Sequence, residues 1–168
     1  MRIGTGWDIH RLVEDKQLII GGLHIKSNKG SLAHSDGDVL IHAIIDALLG
    51  AARLGDIGTH FPPNDDKYKN ISSALLLQET LNLLTEYTIV NIDSTIILEN
   101  IRLNPYIPAM RESLASIMNI DESIISIKAK TAEKLLKEVG TGDAIIAQVA
   151  LLLEEKQSVD DTSSLYWV

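Results

Sequence analysis

Cysteine is absent from this 168-residue chain, and aromatic residues make up only 4% of it. The first absence excludes disulfides and thiolate metal sites, so any metal must be held by histidine, carboxylate or main-chain ligands. The second means that the core must be built mainly from Ile, Leu, Val and Ala. With 45% apolar and 23% charged residues, the composition is that of a globular protein, and the length suits one domain.

An excess of positive charge is also lacking. The formal net charge is −8, which argues against nucleic acid and anionic membranes as partners but leaves room for a small anionic ligand beside local cations or metals. No segment reaches the length of a membrane span. Because patterned sequence begins directly after Met1, we expect no signal or transit peptide and a cytoplasmic location.

The apolar pattern predicts an α/β protein, a two-layer sandwich of mixed sheet and helices that is ferredoxin-like in character. Strands are expected at 2–11, 17–26, 88–99, 124–130 and 144–153, the last of which also fits a helix, and helices at 36–52, 71–86 and 105–119. Lys29-Gly30-Ser31 is typical of a turn. We expect one domain over residues 1–155 and a polar, poorly ordered tail over 156–168.

Asp8 and His10 have the spacing of two metal ligands on one face of a strand, since strand side chains alternate. His42, on the first helix, would complete a set that leaves one tetrahedral position open, as in a catalytic zinc site. The alternative is an ordinary Asp-x-His pair and a satisfied core histidine. Two details favour the metal: an unpaired imidazole is costly in so apolar a helix, and Asp46, one turn on, can accept its second ring proton.

Two further clusters follow. At His34-Ser35-Asp36-Gly37-Asp38, donors would lie beside a helix N-terminus, where anions are favoured; a capping turn made by Ser35 or Asp36 explains the cluster as well. At Leu54-Gly55-Asp56-Ile57-Gly58, the glycines would let a ligand approach the main chain and Asp56 would accept sugar hydroxyls. A tight turn after the helix is the alternative.

The segment from Lys128 to Lys134 is the last cluster. Thr131 offers a hydroxyl and the lysines offer ammonium groups, which suit phosphate, while Glu133 offers a carboxylate, which suits magnesium. A solvated run of charges is the alternative interpretation.

Together these motifs closely resemble the 2-C-methyl-D-erythritol 2,4-cyclodiphosphate synthase family. The resemblance covers about residues 1–155, and the motifs occur in the family's order at 6–10, 33–39 with His42, 46–51, 54–58 and 128–135. It implies a metal-dependent cyclising phosphorus–oxygen lyase of non-mevalonate isoprenoid biosynthesis. Such an enzyme converts 4-diphosphocytidyl-2-C-methyl-D-erythritol 2-phosphate into 2-C-methyl-D-erythritol 2,4-cyclodiphosphate and releases CMP. It also implies a homotrimer with active sites between subunits.

The resemblance further implies zinc on Asp8, His10 and His42, and a second divalent cation, Mg²⁺ or Mn²⁺, on Glu133. His34 and Thr131 match the catalytic residues that polarise and hold the phosphates. Asp56 and Gly58 match ribose contacts, 61–65 a mobile loop and 100–106 a cytosine pocket. The full set of implied substrate contacts is Asp8, His10, His34, Ser35, Asp56, Ile57, Gly58, Phe61, Pro62, Pro63, Asn64, Asp65, Asn100, Ile101, Arg102, Leu103, Asn104, Pro105, Tyr106, Lys130, Thr131, Ala132 and Glu133.

The chain departs from the family at one stretch. Lys130 and Ala132 stand where the family usually has threonine, and Leu136–Gly142 replaces a glycine-rich segment, with Thr141 at the position of an arginine near the diphosphate. We hypothesise that Lys130 restores the missing positive charge, in which case Lys130→Ala should weaken substrate binding. Two other interpretations stay open: a zinc-dependent phosphoesterase of nucleotide diphosphates, and a non-catalytic trimeric protein that binds isoprenoid diphosphates.

Overall fold

The computed structural model describes residues 1–157, so the predicted tail lies outside the described residues from position 158 onward. The strands are β1 (Arg2–Glu14), β2 (Leu18–Ile20), β3 (Leu23–Ile25), β4 (Lys29–Leu32), β5 (Tyr87–Ile97), β6 (Ile125–Lys130) and β7 (Ala144–Glu155). The helices are α1 (Val39–Ala52), α2 (Ile57–His60), α3 (Ser73–Asn82) and α4 (Ile107–Met118).

The described residues form a five-stranded mixed sheet in the order β4-β1-β7-β5-β6, with the β2–β3 hairpin beside it. Helix α1 packs on β1 and β7, α4 packs on β6, and α3 packs on α1 and α4. The predicted mixed sheet with a helical layer is therefore confirmed. None of these helices has both the length and the apolar character needed to cross a membrane. The cytoplasmic location stays a prediction.

The ferredoxin-like connectivity is wrong. A ferredoxin-like domain has the order β-α-β-β-α-β, so a helix precedes its last strand. Here the last helix, α4, lies between β5 and β6, and no α-helix lies between β6 and the last described strand, β7. Strands β5 and β6 pair in parallel, with Ile92 opposite Ile125. The reason is geometric, because a crossover that contains a helix returns the chain to the same edge and lets neighbouring strands run in one direction.

The predicted strand at 17–26 and the predicted turn at Lys29-Gly30-Ser31 are also corrected. The first is a hairpin whose turn residues, Gly21 and Gly22, have φ angles of 61° and 76°, as a two-residue type I′ turn requires. The second is strand β4, which pairs with β1. Gly30 belongs in that strand because a Cβ there would lie 2.1 Å from the carbonyl oxygen of Gln17.

Asp38, rather than Ser35 or Asp36, caps α1. Its fully buried carboxylate accepts backbone hydrogen bonds from Gly21, Gly22, Leu40 and Ile41 at 2.6–3.1 Å. Burial raises the pKa of Asp38 above its usual value, and the N–H donors of Gly22, Ile41 and Gly21 offset only part of that increase. The side chain therefore joins the β2–β3 turn to the start of α1 and is not part of a ligand site.

Two glycines let α1 approach β1 closely. A Cβ on Gly4 would lie 1.9 Å from the carbonyl oxygen of Ala47, and a Cβ on Gly6 would lie 1.9 Å from that of Ala43. Gly4, Gly6, Asp8 and His10 occupy alternate positions of β1 and so face the same side of the sheet. The contact therefore holds Asp8 and His10 against the helix that carries His42.

The opposite face of β1 is open and apolar. The side chains of Ile3, Trp7 and Ile9 are 76%, 54% and 43% exposed, and they alternate with the residues that face α1. Such a row of exposed apolar side chains on a sheet is typical of a surface that another chain covers.

The glycine contact yields a test with a matched control. We expect Gly6→Ala to lower the free energy of unfolding by about 3 kcal/mol, because the new methyl group meets the backbone of α1 rather than a flexible side chain. Gly50→Ala places the same methyl group in α1 where no atom lies within 4 Å, and it should stabilise by about 0.5–1 kcal/mol. Urea denaturation followed by circular dichroism measures both. Equal effects of the two substitutions would contradict the packing argument.

Candidate active site

The predicted triad comes together in the structure. The candidate ligand atoms of Asp8, His10 and His42 all lie within 4.8 Å of one another. His42 Nδ1 is 3.1 Å from Asp8 Oδ2 and 3.1 Å from His10 Nε2, and Asp8 Oδ2 is 3.5 Å from His10 Nε2. Two imidazole nitrogens and one carboxylate oxygen are thus close enough to bind one ion, and this donor set suits a divalent transition metal such as zinc.

The far nitrogen of each imidazole has its own partner. His10 Nδ1 lies 2.9 Å from the carbonyl oxygen of Ile9, to which it can only donate. His42 Nε2 lies 2.9 Å from Ser73 Oγ and 3.1 Å from Ser35 Oγ. These contacts leave His10 Nε2 and His42 Nδ1 with their lone pairs toward Asp8, as metal ligation requires.

The carboxylate of Asp8 is held in its ionised form. Partial burial on its own would raise the pKa of Asp8, but its close contacts with His42 and His10 outweigh burial and lower the pKa. The backbone N–H of Ile9 also donates to Asp8 Oδ1, at 2.8 Å. Asp8 is therefore an anionic ligand at neutral pH.

The sequence predicted that Asp46 accepts the second ring proton of His42, and this prediction is wrong. Asp46 Oδ1 instead accepts the backbone N–H of Ile57 at 2.8 Å, and burial raises the pKa of Asp46. Spacing along the helix would allow the two side chains to meet, but the N–H of Ile57 binds the carboxylate of Asp46, and Ser73 Oγ binds His42 Nε2. Asp46 thus anchors the loop after α1, and sequence patterns gave no sign that Ser73 was the partner.

A cavity of about 300 Å³ opens beside the triad. It is lined by Asp8, His10, Ala33, His34, Ser35, His42, Ile57, Gly58, Phe61, Pro63, Tyr68, Ile71 and Leu76. Within the described residues, His34 Nε2 is buried and has no hydrogen-bond partner. An unpaired buried nitrogen is costly, which indicates that His34 is placed to contact a ligand in this cavity.

Two of the predicted substrate contacts make local hydrogen bonds. Asp56 caps α2, and hydrogen bonds from the side chain and then the backbone of Thr59 lower its pKa. Asp65 caps the short turn that follows, where it accepts from the backbone N–H of Lys67 at 2.9 Å. Pro62, Asn64 and Asp65 are not among the residues that line the cavity beside the triad.

A second cavity, of about 630 Å³, lies where β5 and β6 end, toward the β6 edge of the sheet. Its lining consists of Leu98, Glu99, Asn100, Ile101, Arg102, Leu103, Asn104, Pro105, Ala129, Lys130 and Thr131. Residues 100–105 of the predicted 100–106 segment therefore share this cavity with Lys130 and Thr131. Tyr106 is not among the lining residues. Glu99, which the sequence did not single out, accepts the backbone N–H of Ala132 at 2.9 Å and fixes the end of β6 to this cavity.

Thr131 and Glu133 lie side by side, with the hydroxyl of Thr131 donating to the carboxylate of Glu133. The segment that follows has an unusual backbone: Glu133, Lys134, Leu136 and Lys137 all have positive φ angles, between 46° and 62°. Its other end is held by an ion pair between Lys29 and Asp143, at 2.6 Å. A small apolar cluster packs it onto the sheet and consists of Ala132, Val139, Ala144, Ile146 and Ile97.

The triad lines the first cavity, whereas Thr131, which is bonded to Glu133, lines the second cavity of the same chain. Ile9, beside the triad, pairs with Ile146, which pairs with Ile97, which in turn pairs with Lys130. This row crosses three strand spacings, or about 14 Å. The structure thus gathers the predicted site residues into two groups at separate places.

Comparison with known proteins places the chain in a family. Residues 1–154 match the model of the YgbB family. The chain belongs to the YgbB family. A relative from Clostridium kluyveri named 2-C-methyl-D-erythritol 2,4-cyclodiphosphate synthase is 54% identical over 95% of this chain and 99% of its own length. A relative of the same name from Fusobacterium nucleatum is 47% identical over 94% and 99%.

Solved structures of the same enzyme share the fold. The CDP-bound form of 2C-methyl-D-erythritol-2,4-cyclodiphosphate synthase has a TM-score of 0.83 at 36% identity, covering 91% of this chain and 100% of that one. The CDP complex of IspF from Plasmodium falciparum has a TM-score of 0.79 at 38% identity, over 93% and 97%. The bifunctional IspDF of Campylobacter jejuni has a TM-score of 0.88 at 35% identity over 93% of this chain, which spans 42% of that longer protein.

If the triad binds a metal ion, the loss of any one of its three side chains should abolish tight binding. We expect His42→Ala and Asp8→Asn to lose high-affinity zinc binding, because each leaves only two of three convergent ligands. His24→Ala, an exposed position on β3, removes an imidazole elsewhere and should leave binding intact. Equilibrium dialysis with elemental analysis measures the bound zinc. Stoichiometric zinc in both site variants would disprove the assignment.

Proposed function

We propose that this member of the YgbB family converts 4-diphosphocytidyl-2-C-methyl-D-erythritol 2-phosphate into 2-C-methyl-D-erythritol 2,4-cyclodiphosphate and releases CMP, in the non-mevalonate route to isoprenoids. The observation that carries the proposal is the convergence of Asp8, His10 and His42 beside a cavity that is also lined by His34, whose buried Nε2 has no hydrogen-bond partner among the described residues. The names of relatives that are 47% and 54% identical support the same reaction.

The reaction is an intramolecular phosphoryl transfer. An oxygen of the 2-phosphate attacks the β-phosphorus, and the bond to the CMP phosphate breaks. The attacking oxygen is already anionic near neutral pH, so no strong base is required, and the protein contributes positioning and charge neutralisation. In a chain of net charge −8, bringing two phosphates together requires local positive charge.

Zinc on Asp8, His10 and His42, with Mg²⁺ or Mn²⁺ on Glu133, would supply that charge to the diphosphate. The other contacts follow from the chain's own groups. In the proposed complex, His34 Nε2 and the hydroxyl of Thr131 would donate to phosphate oxygens, and Thr131 would exchange its hydrogen bond to Glu133 for one to the phosphate. The remaining predicted contacts are Asp56 with Gly58 for the ribose, 61–65 for the methylerythritol part, and 100–106, with Lys130, for the cytidine diphosphate.

A homotrimer with active sites between subunits would reconcile the two groups of site residues. In one chain, the triad lines one cavity and Thr131, which is bonded to Glu133, lines another, although the reaction needs both groups at one diphosphate. The exposed apolar row of Ile3, Trp7 and Ile9 offers the surface for assembly. We propose that the triad of one subunit faces Thr131 and Glu133 of the next, in a closed ring of three.

The product identifies the reaction. Purified protein supplied with zinc, magnesium and the CDP-linked substrate should yield CMP and a cyclic diphosphate, which phosphorus NMR resolves from linear phosphates. A linear phosphate with CMP would favour the zinc-dependent phosphoesterase instead. Bound substrate without turnover, with both metals present, would favour the non-catalytic binding protein.

Complementation tests the shared site. His42→Ala and Glu133→Ala should each be inactive alone, because each lacks one group of every site. When the two variants are unfolded together and refolded as mixed trimers, about a quarter of the sites should regain both groups, and activity should return. If the activity of the mixture stays at the level of the separate variants, each site is built within a single subunit.

A further inference from the structure

The imidazole of His42 is held from behind by a buried serine. Ser73, at the first position of α3, is fully buried, and its Oγ lies 2.9 Å from His42 Nε2. The hydroxyl of Ser73 also donates to Asp36 Oδ1, and its backbone N–H donates to Asp36 Oδ2 at 2.9 Å. Asp36, Ser73 and His42 thus form a continuous chain of hydrogen bonds that ends at the candidate metal ligand.

The donors in this chain can point in only one direction. A carboxylate only accepts, so the single hydroxyl proton of Ser73 is used on Asp36. Ser73 Oγ can then act toward His42 only as an acceptor, which places the imidazole proton on Nε2. The lone pair is left on Nδ1, the nitrogen that lies 3.1 Å from Asp8 and from His10.

Ser35 contacts the same nitrogen but differs in its other contacts. Its Oγ lies 3.1 Å from His42 Nε2 and accepts the backbone N–H of Gly37 at 3.2 Å. Ser35 lines the cavity beside the triad, whereas Ser73 does not. Ser35 thus borders the cavity, whereas the hydroxyl proton of Ser73 is directed to Asp36.

We propose that Ser73 and Asp36 are positioning residues for His42: they fix the tautomer and the ring orientation in which Nδ1 binds metal. The inference rests on the metal-binding role proposed for Asp8, His10 and His42. Outer partners of this kind hold a ligating imidazole in place and raise its basicity, and their loss costs about 10–100-fold in metal affinity. Because Ser73 lies 31 positions from His42 in the chain, no local sequence pattern indicates this contact.

The same contacts join the metal site to the segment that leads into α3. The backbone N–H of Asn70 donates to the carbonyl oxygen of His34 at 2.7 Å, and that of Asp36 donates to Ile71 at 3.0 Å. Residues 34–36 and 70–73 are therefore joined by hydrogen bonds along their length.

Zinc affinity of the full chain tests the proposal. We expect Ser73→Ala and Asp36→Asn each to weaken zinc binding about 10–100-fold, and the double variant to be no weaker than the larger single effect, because both act through one chain of bonds. Ser72→Ala is the matched control: Ser72 is exposed and caps α3 through the N–H of Ala74. It should lower thermal stability but leave zinc affinity unchanged. Competition with a chelator of known affinity measures the constants.

Long-range ¹H–¹⁵N NMR of the zinc-loaded protein supplies the second readout. The wild type should show the His42 proton on Nε2 and zinc on Nδ1, whereas the opposite assignment would overturn the proposal. Wild-type affinity in both Ser73→Ala and Asp36→Asn would overturn it as well, even if those variants are less stable. Failure of the wild type to bind zinc would instead disprove the metal site itself, so the two failures are distinguishable.

Discussion

The close contact between α1 and β1 is the constraint on which the candidate site depends. Gly4 and Gly6 bring the strand against the backbone of Ala47 and Ala43, at a separation that no side chain would allow. At that separation, alternate positions further along β1 reach His42. A metal site needs its donors fixed within a few tenths of an ångström, and packing of backbone against backbone is more rigid than any contact between long side chains.

Charge explains why the site takes this form. An acidic protein of net charge −8 that handles phosphates must collect positive charge in one place, because diffuse positive charge is lacking. The triad lowers the pKa of Asp8 through its two histidines, which keeps the carboxylate available as a ligand. The second cavity carries Arg102 and Lys130, which favour an anion there. One cavity thus holds the candidate metal ligands and the other holds the cationic side chains. The proposed reaction needs both at one diphosphate, which is why it depends on assembly.

Much of the local structure was predictable from the sequence. The triad followed from alternation along β1 and from an imidazole in an apolar helix, and the two cavities contain most of the residues expected of them. The misses share one cause. Strand β4 is specified by the close approach of Gly30 to Gln17, and the parallel pairing of β5 with β6 depends on where α4 packs. Neither leaves a periodic pattern. Asp46 was assigned to His42 on helical spacing alone, and no periodic pattern shows that the N–H of Ile57 binds this carboxylate instead.

The sequence by itself determined which atoms can bind a metal here. The absence of cysteine leaves histidine and carboxylate donors, and the period of two along a strand places Asp8 and His10 on one face. These properties are local, since they are set by residue type and backbone geometry. Only the tertiary structure decided that Ser73 and Asp36 support His42, and that Thr131 lines a different cavity from the triad. Those relations depend on how α3 packs on α1 and on how many strands separate β1 from β6, and distances of that kind arise only when distant segments share one core.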